Sequence, residues 1–194
     1  MIIALIGIDG AGKTTAGKLL AEQLRTAAYP ATFTTNPSGR RSMTAWSHRR
    51  NVQPPMALLD AIETGIRCVN VLVSHLRARH SSGAVIMDRY LYCQLALRRV
   101  RGLREGRFLT LLLNVLPSPD IVFYFDIDPE IAQARIDSRA TDLETLEHLG
   151  AFDQAYRGLP QFPVFTVVDA TRSTEQVVES ILRELGVCGL GLQA

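Results

Sequence analysis

Short apolar runs alternate along this chain with longer stretches whose apolar residues recur every three or four positions. Residues 2–8 are apolar without a break, as a strand buried on both faces requires. From residue 13 to about 28, Leu19, Leu20 and Leu24 share one helical face. A weaker β-branched run at 31–35 predicts a second strand, and 36–55, rich in Arg, Ser and Pro, reads as a loop. Between Met56 and His80 the positions Leu58, Leu59, Ile62, Ile66, Val69, Val73 and Leu76 predict one long helix. Residues 84–87 form a short apolar run ending in Asp88. Residues 89–107 are predicted to be partly helical, and 108–116 form an apolar helix stopped by Pro117. A strand at 121–125 is closed by Asp126, and Asp128-Pro129-Glu130 opens a helix with proline in its first turn. The last strand is expected at 164–168 and the last helix at 174–185, ended by Gly186.

This alternation predicts an α/β domain of three layers, about five parallel strands flanked by helices. No repeat or long linker divides residues 1–194, so one domain is expected. Ligands in such sheets bind outside the carboxyl ends of the strands. Those ends carry residues 7–15, 35–39, 88–89, 126–128 and 169–171, nearly all polar or glycine.

Composition narrows the classes. The formal charge of +2 over 194 residues is too small to imply nucleic-acid or membrane binding. Lys13 and Lys18 are the only lysines, and arginine supplies the remaining positive charge. Cys68, Cys93 and Cys188 follow no metal-ligand spacing and read as reduced thiols. The apolar start has no basic leader and is too short for a membrane span, so a cytoplasmic protein is expected.

Gly7-Ile8-Asp9-Gly10-Ala11-Gly12-Lys13-Thr14 fits the phosphate-binding pattern G-x-x-x-x-G-K-[ST] at every fixed position. Chance matches to those four positions occur about 3 × 10⁻⁵ of the time at average residue usage. The glycines let successive N–H groups face phosphate oxygens, and the following helix adds its positive end. Asp9, Gly10, Ala11, Gly12, Lys13, Thr14 and Thr15 are therefore candidates for binding the phosphates of ATP, with Lys13 reaching the β- and γ-phosphates and Thr14 placing its hydroxyl on Mg²⁺.

Asp88, at the end of a second buried strand, is the candidate second carboxylate for Mg²⁺. Arg89 beside it can grip a phosphoryl group through two parallel hydrogen bonds. Arg135 and Arg139 share one helix face, and with the polar residues that follow they suit a lid at about 136–148 that brings positive charge to the transferring group. Arg98, Arg99, Arg101, Arg104 and Arg107 form a basic run without aromatic residues, which reads as a solvated surface rather than a nucleic-acid site.

These motifs, in this order, resemble the thymidylate kinases over most of the chain. The resemblance rests on the phosphate-binding turn with Asp9, on Asn36-Pro37-Ser38-Gly39, on Asp88-Arg89-Tyr90, on residues 119–130 with Arg135 following, and on Val168-Asp169-Ala170 before the last helix. It implies a P-loop kinase fold, a homodimer, and transfer of the ATP γ-phosphate to dTMP. It places Asp9, Pro37, Arg67, Arg89 and Tyr90 on the acceptor side, and Asp169, Ala170 and Thr171 near the adenine. It assigns Asp88 and Thr14 to the metal, and Lys13, Asp88, Arg89, Arg135 and Arg139 to catalysis.

The acceptor half departs from the family. Its long helix normally reads Leu-Leu-Phe-x-x-x-Arg, with the aromatic on thymine and the arginine on the nucleotide. The register expected here is Leu58-Leu59-Asp60-Ala61-Ile62-Glu63-Thr64, which puts Arg67 one turn late and brings Asp60 and Glu63 near the acceptor. After Asp-Arg-Tyr, Cys93 replaces the usual Ser, and Leu97-Arg98 replaces Tyr-Gln. Two acidic side chains there would suit a donor-rich acceptor. Other nucleotides, a nucleoside, a specialised metabolite or a non-catalytic relic are thus alternatives. A GTPase switch is disfavoured by the missing Asn-Lys-x-Asp.

Overall fold

A computed structural model of the chain describes residues 1–36, 55–80, 83–103, 107–116, 118–138 and 144–186. Pro37, Arg139, Arg104, the middle of the expected lid and the tail after Gly186 lie outside the described residues. Five strands, β1 (Ile2–Ile6), β2 (Ala31–Thr35), β3 (Ala84–Asp88), β4 (Ile121–Asp126) and β5 (Thr166–Asp169), form one parallel sheet in the order β2-β3-β1-β4-β5. The described helices are α1 (Lys13–Thr26), α2 (Met56–His80), α3 (Leu91–Val100), α4 (Arg107–Val115), α5 (Pro129–Asp137), α6 (Leu146–Arg157) and α7 (Thr174–Leu185).

Every residue of β1 and β3 is buried, which explains their unbroken apolar runs. Side chains alternate across a strand, so one run feeds two cores. Ile3 and Leu5 pack with Leu20 and Leu24 of α1 and with Val178 and Ile181 of α7. Ile2, Ala4 and Ile6 pack on the opposite face with Val71 of α2, Leu91 of α3 and Tyr156 of α6. Each such aliphatic side chain contributes about 1.5–3 kcal/mol by leaving water.

The helix starts follow their caps. The Asp128 carboxylate accepts from the Glu130 N–H at 2.8 Å, just ahead of Pro129. Ser173 and Gln176 form a reciprocal capping box on α7.

Three expectations need correction. Helix α6 is additional: Thr145 caps it by accepting from the His148 N–H at 3.2 Å, and Leu149 and Tyr156 bury one face. β5 begins at Thr166 rather than 164, because Phe162–Val164 forms a 3-10 turn with Pro163 inside it. Gly186 keeps a right-handed φ of −62°, so α7 ends without a left-handed glycine cap.

Register brings the functional strand ends to one level. Asp88 lies opposite both Leu5 and Thr35, and Asp126 lies opposite Asp169. Among the described residues, no helix is long and apolar enough to cross a membrane.

Candidate active site

The turn between β1 and α1 takes the shape its glycines permit. Gly10 and Gly12 both adopt φ of 84°, in the left-handed region, and a Cβ on Gly10 would lie 2.4 Å from the Ala132 carbonyl oxygen. Gly12 is the N-cap of α1 and brings no capping side chain. The first N–H groups of the helix therefore have no side-chain partner at the site where an anion would dock. The Lys13 ammonium lies folded under the turn, 5% exposed, donating to the Ile8 carbonyl at 2.5 Å. Burial is the largest influence on it and lowers its pKa, against the opposing pull of Asp9. A buried ammonium that gives one of its three donors to a carbonyl has capacity left for phosphate oxygens.

Asp88 stands at the tip of β3, 6% exposed, and Thr14 donates its hydroxyl to Asp88 Oδ2. Asp88 Oδ1 is buried with no hydrogen-bond partner. A buried carboxylate oxygen is costly unless something positive meets it. A hard divalent cation shared with the Thr14 hydroxyl and phosphate oxygens fits that vacant lone pair. No cluster of three or more His, Cys, Asp or Glu side chains among the described residues could cage a metal without a substrate.

Arg89 has a φ of 77°, unusual for a residue with a side chain. Its N–H donates to the Leu5 carbonyl at 2.9 Å, and its carbonyl accepts from Asn36 Nδ2 at 3.3 Å. Asn36 is 1% exposed; it also donates its N–H to the Asp88 carbonyl at 3.0 Å and accepts from Asn70 Nδ2 of α2 at 3.0 Å. This clamp holds the kink that turns the guanidinium toward the phosphate-binding turn, where Arg89 Nη2 pairs with Asp9. Burial alone would raise the Asp9 carboxyl, but Arg89, Lys13 and Arg67 together outweigh it and hold the pKa below the ordinary value. Asn36 as a clamp was not legible beforehand.

Arg67 reaches the same region from α2. It is 3% exposed, and its Nε and Nη1 have no hydrogen-bond partner. Burial lowers its pKa; Cys93, Arg89 and Tyr156 are all near enough for their charges to act on it. Tyr156, at 0% exposure, comes from the unforeseen helix α6, and its hydroxyl also has no hydrogen-bond partner. Burial, with Cys93 adding to it, raises the Tyr156 pKa well above the ordinary range, so it stays a neutral donor. The sequence signal for Tyr156 was the spacing Leu149, Phe152, Tyr156 behind a threonine cap. The turn that faces Arg89 is thus the one carrying Arg67, not the one carrying Asp60.

The expectations for Asp60, Glu63, the arginine run and Tyr90 change accordingly. Asp60 and Glu63 do not face water: they are 2% and 1% exposed and bonded to α3 and the residue after it. Asp60 accepts from Gln94 Nε2 at 2.9 Å and from Arg98 Nη1 at 2.5 Å. Glu63 accepts from both Nη atoms of Arg101, at 3.2 and 3.3 Å. Arg98 and Arg101 are therefore the counter-ions of a buried α2–α3 contact rather than a solvated run, and Arg99 donates to the Gly158 carbonyl. Tyr90, expected at the acceptor, is 1% exposed in the core with its ring 5.3 Å from Tyr92. The kink at Arg89 sends the next side chain inward.

In the loop after β5, expected to lie near the adenine, Asp169 accepts from the Thr171 N–H at 3.0 Å and from Arg172 Nε at 2.9 Å. Arg135, expected in the lid, donates instead to the Ala170 carbonyl at 2.9 Å and the Thr171 carbonyl at 3.2 Å. It braces the loop after β5, and Ala170 is buried beneath.

The comparisons agree with this geometry. The thymidylate kinase family profile matches residues 6–181. A probable thymidylate kinase of Methanocaldococcus jannaschii is 32% identical over 188 residues, covering 94% of each chain. Another, of Archaeoglobus fulgidus, is 29% identical over 184 residues, covering 93% of this chain and 92% of its own. The structure of deoxyadenosine kinase from M. mycoides, with the products dCMP and dCDP bound, has a TM-score of 0.71 and 21% identity, covering 96% of this chain and 100% of that one. It shares the fold. On the family match over most of its length, this chain belongs to the thymidylate kinase family and is an ATP-dependent nucleotide kinase.

Proposed function

We propose that the protein transfers the γ-phosphoryl group of ATP to dTMP, giving dTDP. The observation that carries the acceptor side is the pair of arginines at the carboxyl end of the sheet. Arg89 is turned inward by a strained backbone, and Arg67 is buried with two N–H faces unused. Such groups suit an oxygen-rich, anionic acceptor.

In this reading the turn from Gly10 to Thr15 wraps the triphosphate of ATP, and Lys13 neutralises charge as it develops on the migrating group. Thr14 and Asp88 hold Mg²⁺, which when bound polarises the phosphoryl oxygens. Asp9 orients Arg89, and Arg89 holds the acceptor phosphate in line. That phosphate is already ionised at neutral pH and needs no general base. Asp169, Ala170 and Thr171 border the adenine, with Arg135 fixing their loop. Arg139 and Pro37 complete the lid and the acceptor side as the family resemblance implies.

The assay is ADP release from ATP and Mg²⁺ with dTMP, dUMP, dCMP, the ribonucleoside monophosphates and thymidine, using Lys13→Ala as blank. Turnover with dTMP well above the rest is expected. A preference for another monophosphate, or for thymidine, would sink the dTMP assignment.

The protein further acts as a homodimer in this reading. Helix α2 leaves Leu58, Ile62, Val69, Leu72 and Leu76 exposed along one stripe at spacings of three, four or seven residues, the pattern of a helix that meets another helix. Sedimentation should give a dimer, and Val69→Asp, at a residue 60% exposed, should give a monomer.

A further inference from the structure

The backbone of Arg89 is held on both sides. Its N–H donates to the Leu5 carbonyl at 2.9 Å, and its carbonyl accepts from Asn36 Nδ2 at 3.3 Å. Between these bonds the residue keeps a φ of 77°, which outside glycine persists only where the surroundings fix it. The first bond belongs to the paired ends of β1 and β3. The second depends on which way the Asn36 amide faces, and the two ends of an amide differ in chemistry rather than shape.

A carbonyl can only accept, so the Asn36 atom that faces Arg89 has to be the amide nitrogen. That puts Asn36 Oδ1 on the other side, where Asn70 Nδ2 of α2 donates to it at 3.0 Å. Donors therefore run one way, from Asn70 to Asn36 and from Asn36 to the Arg89 carbonyl. Asn70 follows Arg67 by three residues, so the two share a face of α2. One turn of α2 thus carries the first acceptor arginine and reaches the second through Asn36.

We propose that Asn70 is a positioning residue for acceptor recognition: by fixing the direction of the Asn36 amide, it holds the kinked Arg89 backbone and the guanidinium that pairs with Asp9. Asn70 itself does not touch the acceptor. Helix α2 then sets both arginines, Arg67 directly and Arg89 by relay. The inference rests on the acceptor site proposed above, with Arg89 in it.

Both neighbours of the Asn36 amide favour the same direction. Without the Asn70 side chain, the Arg89 carbonyl still selects the nitrogen, and a water can donate to Asn36 Oδ1. A carboxylate at position 70 instead sets the two neighbours in conflict. It would demand a donor from Asn36, and a hydrogen bond to an ionised oxygen is roughly twice as strong as one to a carbonyl. The amide would turn over, its oxygen would face the Arg89 carbonyl oxygen, and the kink would lose its support.

The test compares Asn70→Asp with Asn70→Ala, each alone and combined with Asn36→Ala. KM for dTMP, KM for ATP, kcat and melting temperature are measured, and the crystal structure of Asn70→Asp is determined. Asn70→Asp should raise the dTMP KM about 10- to 100-fold, the scale of misplacing a substrate-positioning group by about 1 Å. Asn70→Ala should stay within about threefold of wild type, although it removes more of the side chain. The ATP KM should hold within about twofold in both, because the phosphate-binding turn is untouched. With Asn36→Ala the relay is cut, and the two substitutions at position 70 should then differ by less than about twofold.

A packing role for Asn70 predicts the reverse order, alanine worse than the isosteric aspartate, and that order would overturn the proposal. So would an effect of Asn70→Asp that persists beside Asn36→Ala, because a carboxylate acting on Arg67 or another neighbour needs no Asn36. If Asn36→Ala folds poorly, the order of the two single variants and the crystal structure still decide. In that structure the Arg89 guanidinium should have left Asp9, and a guanidinium still paired to Asp9 overturns the relay. The structure needs no acceptor. Absence of dTMP turnover in the wild type would therefore remove the dTMP assignment, and the position of Arg89 would still decide the relay.

Discussion

The two halves of the site are built by different means. The ATP half is a continuous stretch of chain: β1 runs into a glycine turn, and the turn runs into α1. In the proposed reading its ligand groups are the backbone of residues 10–15 and the side chains of Lys13 and Thr14, with Asp88 as a long-range partner bonded to Thr14. The acceptor half, as proposed, draws on side chains of separate elements, namely Asn36, Arg67, Arg89 and Tyr156, beside the buried α2–α3 ion pairs. A turn made of backbone fails only when its shape or its key charge is lost. A pocket made of side chains can be retuned one residue at a time, and this chain departs from the family pattern there.

The largest effect should come from the key charge of the ATP half. Lys13→Ala should lower kcat on the order of 10³-fold, the scale of removing one preorganised charge from a phosphoryl-transfer site. Melting temperature should hardly fall, because a desolvated ammonium is removed along with its function. Steady-state kinetics with a thermal melt check both. A kcat within tenfold of wild type would mean that the lysine does not serve the transferring group.

Next comes the scaffold of the acceptor half. Asp60→Ala should cost about 3 kcal/mol of stability, toward the lower end for a broken buried pair, because Arg98 keeps 20% side-chain exposure. Urea unfolding measures it. If the halves are as separate as their construction implies, the ATP KM of the folded variant stays within about twofold while acceptor binding weakens. An equal loss on both sides would break the distinction.

Arg67 sharpens the contrast from within the acceptor half. Arg67→Met should raise the acceptor KM about 10- to 100-fold while stability holds or rises, because a buried cation without hydrogen-bond partners at two of its nitrogens is replaced by an apolar chain. A group retained for packing would show the reverse: lower stability and unchanged KM.

The same division explains what the sequence could tell. The sheet, its order of elements and the phosphate-binding turn were readable because each is written in consecutive residues, as an apolar run, a period or a glycine pattern. The acceptor half depends on which turn of a long helix lies against which neighbour. Counting from the family pattern put Asp60 and Glu63 at the acceptor and Arg67 one turn late, whereas packing against α3 buries both acids and leaves Arg67 buried within electrostatic reach of Arg89. The arginine run at 98–101 looked solvated because its partners lie about forty residues earlier, as with Arg98 and Asp60 at a separation of 38. Tyr156 was missed because α6 follows a polar segment and announces itself only by a threonine cap and three apolar positions. Arg135 sits on a correctly placed helix, yet its guanidinium turns to two carbonyls that no local pattern could reveal.

The smallest effect lies where the halves meet. The Asp9–Arg89 pair joins the turn to the acceptor arginine, and Asp9 has its pKa held below the ordinary 3.8. A carboxylate with a lowered folded pKa stabilises the native state fully above its unfolded value, and that contribution is lost as pH falls through the folded value. Asp9 keeps 41% side-chain exposure, so solvent screening limits the contribution to less than about 1 kcal/mol. The difference in unfolding free energy between wild type and Asp9→Asn should therefore be small and flat from pH 7 to about 5 and shrink below 3.8. Acceptor KM should respond more strongly than stability at neutral pH if, as proposed, Asp9 orients the guanidinium that holds the acceptor. Urea titrations across that pH range, beside acceptor kinetics at pH 7, separate the two roles. A stability difference that stays level down to pH 3 would show that the ion pair contributes nothing to the fold, and an unchanged acceptor KM would remove Asp9 as the link between the halves.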